Sequence, residues 1–171
     1  DAVPSDGTVF LNADNGYIRD CRDGVSAPTV TYGTAEDGEA DYRASDVAVD
    51  GTGCAFTVTS PDGEACRFST KLLGAHNIQN ITGCIAVAHT LGIPLKELIA
   101  PIRRLKPVEH RLQLLPNGFI DDAYNSNPAG FRAALDVLKG FEGQRVLVTP
   151  GMVELGERQE ALNRELGGYA A

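Results

Sequence analysis

A strong turn signal in the middle of the chain constrains the fold most. Residues 60–63 read Ser-Pro-Asp-Gly and separate two runs of strand-type composition, residues 55–59 and 65–70. Proline and glycine at these positions favour a tight reversal of the chain. A further strand-type run occupies residues 47–49. We therefore expect an antiparallel hairpin or small meander, attached to an α/β body and important for packing and shape.

A short apolar run at residues 8–11 predicts a buried strand, and residues 30–33, which end in glycine, predict a second short strand. A polar loop follows the first run. Within this loop, Asp14 or Asn15 is placed to cap a short helix that ends at Cys21.

Two helical patterns follow the hairpin. From residue 77 apolar positions recur with a helical period to about Leu91, and Gly92 is a typical stop. A second helix is expected from Pro94 to about Arg104, because proline suits the first turn of a helix.

Lys106 and Pro107 interrupt the helical pattern and predict a boundary between a first domain, residues 1–107, and a second, residues 108–171. Beyond the boundary the pattern is β-α-β-α, with a strand at 118–122, a helix at 128–141, a buried parallel strand at 145–149 and a helix at 157–169. This order predicts an α/β protein whose second domain is the truncated beginning of a Rossmann-like sheet.

Composition restricts the partners. A formal net charge of −8 disfavours non-specific attraction to nucleic acid or to anionic membranes. No apolar run approaches the roughly 18 residues that span a bilayer, and the N-terminus has neither an initiator Met nor the pattern of a signal peptide. We expect a cytosolic protein, processed or excised from a longer chain.

The four cysteines form no C-x-x-C pair and match no zinc spacing. Cys54 and Cys66 lie in the expected hairpin, where they could face each other. Reduced, partly buried thiols are the simpler expectation for a cytosolic protein.

The start of the first long helix carries two amides, Asn77 and Asn80. At about 100° per residue they share a face that we expect to be buried with Ile81, Cys84, Ala88 and Leu91, opposite Gln79, Gly83 and Thr90. A buried amide without a partner costs about 1–3 kcal/mol. Either the two amides complete the helix cap, or they bind the hydrogen-bonding edge of a ligand at the helix N-terminus. The spacing leaves both alternatives open.

Other polar residues have the same two interpretations. Arg111 is either a solvated or ion-paired surface residue or a bidentate phosphate ligand at an interdomain cleft. Asp121 and Asp122 follow a predicted strand, where open α/β sheets bind ligands, or they cap the next turn. The loops at 124–128 and 149–156 form either a pocket rim or mere connections.

The motifs of common catalytic sites are missing from the sequence. His76 and His89 have no neighbours at convincing metal-ligand spacing and are expected to be core or capping histidines. There is no Ser-His-Asp order, no H-E-x-x-H, no G-x-S-x-G and no G-x-x-x-x-G-K-[ST] phosphate loop.

Taken together, five segments resemble the Mur ligase family, whose ATP-dependent members add amino acids to the peptidoglycan precursor. They are N-A-D at 12–14, G-A-H-N-I-Q-N at 74–80, E-H-R at 109–111, I-D-D-A-Y-N-S-N-P at 120–128 and M-V-E-L-G at 152–156. The last two are most similar to the member that adds D-alanyl-D-alanine. That type often carries Gly-Asp before the methionine, where this chain has Pro150 and Gly151.

The resemblance implies an ATP site made by His76, Asn77, Asn80, Arg111 and Asp122. Asn77 and Asn80 would contact the adenine end, Arg111 the phosphates and Asp122 the ribose. The resemblance further implies that Tyr124, Asn125 and Asn127 shape the pocket for the incoming amino substrate.

For the whole enzyme, the resemblance implies ligation through an acyl phosphate, with ATP, Mg²⁺, a UDP-muramoyl peptide and D-alanyl-D-alanine. The phosphate loop, the magnesium ligands and the modified lysine of the family would precede Asp1, so no catalytic set is complete here and no metal ligand is assigned. We expect a cytoplasmic protein, monomeric at full length, and a fragment that is inactive alone. Another ligase of the superfamily, such as a folylpolyglutamate synthase, and a non-catalytic nucleotide-binding module remain alternatives.

Overall fold

The computed structural model of the chain describes residues 3–34 and 40–171. Its largest element is a five-stranded mixed sheet with the strands in chain order. The strands are β1 (Val9–Asn12), β2 (Thr29–Gly33), β3 (Tyr42–Asp50), β4 (Gly53–Thr59) and β5 (Ala65–Thr70). The first three strands are parallel and the last three antiparallel. The predicted α/β class is therefore confirmed.

The predicted meander is confirmed and is continuous with the parallel strands, since β3 pairs with both β2 and β4. β3 is longer than the sequence pattern predicts. The register between β3 and β4 shifts between Ser45 and Ala48, and Asp46 in this interval has a φ of 49°. This irregularity interrupts the strand-type alternation, which is why only the second half of β3 is recognisable from sequence.

The helices of this part are α1 (Gly16–Asp20), α2 (Ala75–Thr90) and α3 (Leu95–Arg103). Asn15 caps α1 as predicted, because its Oδ1 accepts a hydrogen bond from the backbone N–H of Ile18 at 3.2 Å. Gly92 follows α2 with a φ of 91°, which confirms the predicted stop.

The main core lies between the sheet and the helices α2 and α3. Its fully buried side chains include Phe56, Phe68, Ile78, Ile85 and Leu95. Burial of each such side chain contributes about 1.5–3 kcal/mol.

The predicted buried face of α2 is confirmed at Ile81 but was wrong at three other positions. Asn80 and Cys84 are exposed, and Leu91 is 77% exposed. Gly83, which was assigned to the opposite face, is buried because a Cβ there would lie 2.9 Å from the Tyr32 ring. The buried residues of α2 are Ile78, Ile81, Thr82, Gly83, Ile85 and Ala86.

Residues 108–171 contain two short strands and two α-helices. They are β6 (Gln113–Leu114), β7 (Ile120–Asp121), α4 (Pro128–Lys139) and α5 (Gln159–Ala170). The two predicted helices are confirmed, and the strand predicted at 118–122 is reduced to β7, which pairs antiparallel with β6. The boundary at Lys106–Pro107 stays a prediction.

The buried parallel strand predicted at residues 145–149 was wrong. The segment has no strand pairing in the described part of the chain, and Val148 is 91% exposed. An apolar run becomes a sheet strand only when neighbouring strands satisfy its amide groups and cover its side chains. No such neighbour lies beside this segment among residues 3–34 and 40–171.

A smaller core joins the two parts of the chain. Leu73, just before α2, packs with Leu112 and Val137, and Phe141 packs against this cluster. A Cβ on Gly51, at the β3–β4 turn, would lie 2.9 Å from the Phe141 ring. The start of α2 is thus in contact with residues that follow the predicted boundary.

The cysteines do not face each other across the hairpin. Cys54 pairs with Thr70 and Cys66 with Val58 in the β4–β5 ladder, and both thiols are buried and free. Burial raises the pKa of the Cys54 thiol, so that it stays protonated at neutral pH.

Candidate functional site at the start of helix α2

The start of α2 depends on a glycine. Gly74 is the N-cap residue with a φ of 88°, and no side chain caps the helix. Asn77 Nδ2 instead donates a hydrogen bond to the backbone oxygen of Leu73 at 2.7 Å. The alternative in which Asn77 and Asn80 complete the helix cap is therefore wrong. The bond orients the Asn77 side chain and leaves its Oδ1 without a hydrogen bond in the described part of the chain.

His76 stands beside this amide as a neutral ring. Its Nε2 lies 3.2 Å from Asn77 Nδ2, and an amide nitrogen only donates, so Nε2 accepts and the proton resides on Nδ1. Loss of solvent around the ring lowers the pKa of His76 below its ordinary 6.5, against the opposing effect of Asp122. The electrostatic effect of Asp122 connects two predicted ligand residues that are far apart in sequence.

Asn80 lies one turn further along α2 and is exposed. Its side chain makes no hydrogen bond to any described residue, so the amide is available to a ligand. The neighbouring Gln79 was missed by the sequence reasoning. Its Nε2 donates to Asp14 Oδ2 at 2.9 Å, and the same oxygen accepts from the backbone and the hydroxyl of Thr34 at 2.7 Å.

Gln79 therefore ties α2 to the carboxyl ends of β1 and β2. Asp14 belongs to the N-A-D turn, but nothing in the periodicity of α2 pairs this turn with Gln79. Only the tertiary arrangement brings the two residues together.

Two short segments after α3 are tied together by three hydrogen bonds. His110 Nδ1 lies 2.8 Å from Asp121 Oδ2, and the backbone oxygen of His110 accepts from the N–H of Tyr124 at 3.0 Å. The N–H of Leu112 donates to Asp122 Oδ1 at 3.0 Å. His110 and Leu112 both have positive φ, 62° and 47°, which is uncommon for residues with side chains. Backbone strain at these positions persists only because the surrounding bonds hold it.

Arg111 lies between the two strained residues. Its guanidinium carbon is 4.3 Å from the centroid of the Tyr124 ring, a cation–π distance. No ion pair engages Arg111 among residues 3–34 and 40–171, and the residue is exposed, so of the surface alternatives only the solvated one stays open beside the phosphate ligand. We call residues 110–112 together with 121–124 the arginine clamp.

The ion pair between His110 and Asp121 changes the pKa of both residues. The hydrogen bond to Asp121 raises the pKa of His110 above its ordinary 6.5, and Glu109 adds to the effect. The same hydrogen bond holds the pKa of Asp121 below its ordinary 3.8. The pair is therefore charged on both sides between these two titrations.

The three residues predicted for the amino-substrate pocket differ in their contacts. Tyr124 lies under Arg111, and Asn125 is exposed with no hydrogen bond to a described residue. Asn127 is the N-cap of α4, because its Oδ1 accepts from the N–H of Gly130 at 2.9 Å. Asp122 bonds the backbone of Leu112 and caps no helix.

The predicted loop at residues 152–156 is held by a residue that the sequence did not indicate. Asn163 on α5 accepts from the N–H of Met152 at 2.8 Å and donates to its backbone oxygen at 2.9 Å. Met152 is buried, and Glu154 has a φ of 61°. This paired amide bond fixes the loop against α5, and no spacing in the sequence points to it.

The described residues do not by themselves fit a magnesium site. Residues 3–34 and 40–171 contain no cluster of three His, Cys, Asp or Glu side chains that could hold a metal ion. None of the described helices is long and apolar enough to cross a membrane.

A mixed α/β sheet, with a polar loop cluster packed beside the start of a helix that covers the sheet, defines an α/β protein with a candidate ligand site at that helix start. The Mur ligase middle domain family matches residues 1–88, and the chain belongs to the Mur ligase family.

The relatives include ligases that add D-alanyl-D-alanine and other members of the family. The chain is 33% identical to the UDP-N-acetylmuramoyl-tripeptide--D-alanyl-D-alanine ligase of Haemophilus influenzae over 98% of its length, and it spans 36% of that protein. The crystal structure of MurF from Acinetobacter baumannii superposes with a TM-score of 0.87 at 27% identity, over 99% of this chain and 37% of that one. The MurF ligase of Thermotoga maritima in complex with ADP superposes with a TM-score of 0.79 at 25% identity, over 96% and 38%.

Proposed function

We propose that the chain is the nucleotide-binding part of an ATP-dependent ligase that adds D-alanyl-D-alanine to a UDP-muramoyl peptide in peptidoglycan synthesis. The named activity of the Haemophilus influenzae relative and the ADP complex of the Thermotoga maritima ligase support this substrate class. Because the chain spans 36% of the Haemophilus influenzae relative, the activity is proposed for the full-length enzyme.

One observation carries the proposal: Leu112 of the arginine clamp packs beside the start of α2. Asp122 acts electrostatically on His76, and the side chain of Leu112 would lie 3.2 Å from a Cβ on Gly74. Adenine would bind at the start of α2, where Asn77 Oδ1 and the Asn80 amide are available.

The rest of the nucleotide would follow toward the clamp. Asp122 Oδ2 makes no hydrogen bond in the described part of the chain and would accept one from a ribose hydroxyl. The phosphates would then meet Arg111, whose guanidinium forms no ion pair with a described carboxylate. The exposed Asn125 belongs to the proposed amino-substrate side, next to Tyr124.

The proposed reaction has two steps. A carboxylate oxygen of the muramoyl peptide attacks the γ-phosphorus of ATP, so that ADP leaves and an acyl phosphate forms. The amine of D-alanyl-D-alanine attacks the acyl carbon, loses a proton, and phosphate leaves as the amide forms. Arg111 would hold the phosphates in line and stabilise their charge. Since the described residues do not fit a magnesium site, no step is assigned to the metal here.

The proposal includes the cellular setting. We place the full-length enzyme in the cytoplasm as a monomer, with UDP-muramoyl peptide and D-alanyl-D-alanine as substrates and no nucleic-acid partner. The net charge of −8 agrees with that absence.

Variants of the full-length ligase test the nucleotide site. Arg111→Ala is expected to raise the KM for ATP by about tenfold or more, because a charge-assisted bond to phosphate is lost. Asn80→Ala is expected to raise the KM for ATP more than the KM for the muramoyl peptide. Arg164→Ala is the matched control, since Arg164 pairs with Glu160 on the exposed face of α5. Equal effects on both substrates, or none, would contradict the assignment of the site.

Substrate assays separate the alternatives. Coupling of D-alanyl-D-alanine in preference to single amino acids supports the proposed member, and preference for a single amino acid or glutamate supports another ligase of the superfamily. Nucleotide binding without any ligation by the full-length protein would favour a binding module. The isolated chain is expected to hydrolyse no ATP, because its sequence contains no phosphate loop.

A further inference from the structure

The arginine clamp raises a question that the proposed ATP site leaves open. An exposed arginine has many rotamers, and fixing one costs up to about 2 kcal/mol of side-chain entropy. An arginine that is already held in place loses less on binding an anion. The contacts around Arg111 therefore matter as much as its charge.

We infer that His110 and Asp121 are positioning residues that preset Arg111 for an anionic phosphate group. This inference rests on the proposed function, because it takes the phosphates of ATP as the anion. Neither residue needs to touch the nucleotide. They act by holding the backbone on one side of Arg111 in its strained conformation.

The geometry of the clamp supports this role. The positive φ of His110 and Leu112 turns the chain on both sides of Arg111. Each of these residues is bonded to the 121–124 segment, His110 through both its ring and its backbone oxygen.

The ring of Tyr124 is part of the same arrangement. Its backbone N–H bonds His110, and its ring lies under the guanidinium of Arg111. Tyr124 is thus assigned as a platform for Arg111, in addition to its place beside the amino-substrate pocket.

The ion pair gives the clamp a measurable pH dependence. Asp121 and Glu109 are the charged groups that hold the proton on His110. Because the pKa of His110 is raised, the pair is intact below that pKa and is lost as the pH rises through it. Affinity for ATP should therefore fall on the alkaline side of the His110 titration.

The test uses the full-length ligase and two variants. Asp121→Asn is expected to raise the KM for ATP about five- to tenfold at pH 6.5, and to leave the KM for the muramoyl peptide unchanged. His110→Lys keeps a cation beside Asp121 but does not titrate near neutrality. It should give a KM for ATP below that of Asp121→Asn at pH 6.5 and remove the alkaline rise. Glu160→Gln, in the exposed α5 pair, is the matched control.

The outcomes separate the two proposals. If Arg111→Ala raises the KM for ATP but Asp121→Asn does not, the clamp inference is wrong and the proposed function stands. If Arg111→Ala leaves the KM for ATP unchanged, the proposed contact between Arg111 and the phosphates is wrong. NMR of labelled histidine checks the geometry independently, since Asp121→Asn should move the pKa of His110 down toward 6.5. An unchanged pKa would overturn the inference.

Discussion

At the residue scale, Gly74 sets how closely the two halves of the candidate site approach. Its φ of 88° lies in the region that residues with a Cβ rarely adopt. A Cβ at this position would come within 2.7 Å of His76 and 3.2 Å of Leu112. Because Gly74 has no side chain, the ring of His76 and the side chain of Leu112 can both pack beside it.

Replacement of this glycine should cost more than conformational strain alone. Gly74→Ala is expected to lower the free energy of unfolding by about 2–4 kcal/mol, since strain and displaced neighbours add. Gly63→Ala is the matched control, because Gly63 has a φ of 85° with no atom within 4 Å of its added Cβ. It should cost about 1–2 kcal/mol. Urea unfolding of both variants measures the difference, and equal losses would show that the close approach does not matter.

The sequence named candidate residues for the site, but it did not predict their contacts. Motif resemblance picked out Asn77, Arg111 and Asp122, and the structure places His76 within the electrostatic reach of Asp122. The sequence did not predict the hydrogen bonds that orient these side chains. The pairing of His110 with Asp121 depends on backbone conformations with positive φ. No residue pattern in this segment predicts those conformations.

At the scale of elements, α2 shows how one close contact can determine which face of a helix is buried. Helical periodicity placed Asn80, Cys84 and Leu91 toward the core. The structure instead turns the face with Gly83 inward, because the missing side chain admits the ring of Tyr32 from β2. Gly83, which the periodicity assigned to the opposite face, is the residue at which α2 approaches β2 most closely.

Paired truncations on α2 test this orientation. Ile85→Ala is expected to lower the free energy of unfolding by about 2–4 kcal/mol, because Ile85 is 1% exposed in the main core. Leu91→Ala should change it by no more than about 0.5 kcal/mol, because Leu91 is 77% exposed. Thermal or urea unfolding of the two variants provides the measurement. A larger loss for Leu91→Ala would restore the face that the periodicity predicted.

The elements that the sequence predicted correctly share a local cause. The β4–β5 hairpin follows from its Ser-Pro-Asp-Gly turn, and α4 follows from Asn127 as N-cap with Pro128 at the first position. The segment at 145–149 differs because a parallel strand is specified by its neighbours. Its composition indicates a strand, but the described chain offers no partner strand.

At the scale of the whole molecule, the described residues form two hydrophobic cores of unequal size. The main core lies between the sheet and the helices α2 and α3. The smaller core is centred on Leu73, Leu112 and Val137, with Phe141 packed against it. Because the smaller core buries little apolar surface, we expect residues 108–171 to open more readily than the sheet.

Leu112 is one of the side chains that connect the second part of the chain to the start of α2. It is 5% exposed, and it lies beside Arg111 in the arginine clamp. Loss of this contact would free the clamp from α2 but would leave the main core intact. The candidate nucleotide site would then lose one side without the sheet losing stability.

Native-state hydrogen exchange measures this separation. Leu112→Ala is expected to speed exchange of amides in β6, β7 and α4 by at least about tenfold, since a buried leucine truncation costs about 2–5 kcal/mol. Amides of β4 should exchange at the wild-type rate. Leu114→Ala, at a 39% exposed position on β6, is the control and should leave both regions nearly unchanged. If Leu112→Ala sped exchange in β4 and α4 alike, the two cores would open as one unit, and the start of α2 and the arginine clamp could not move independently.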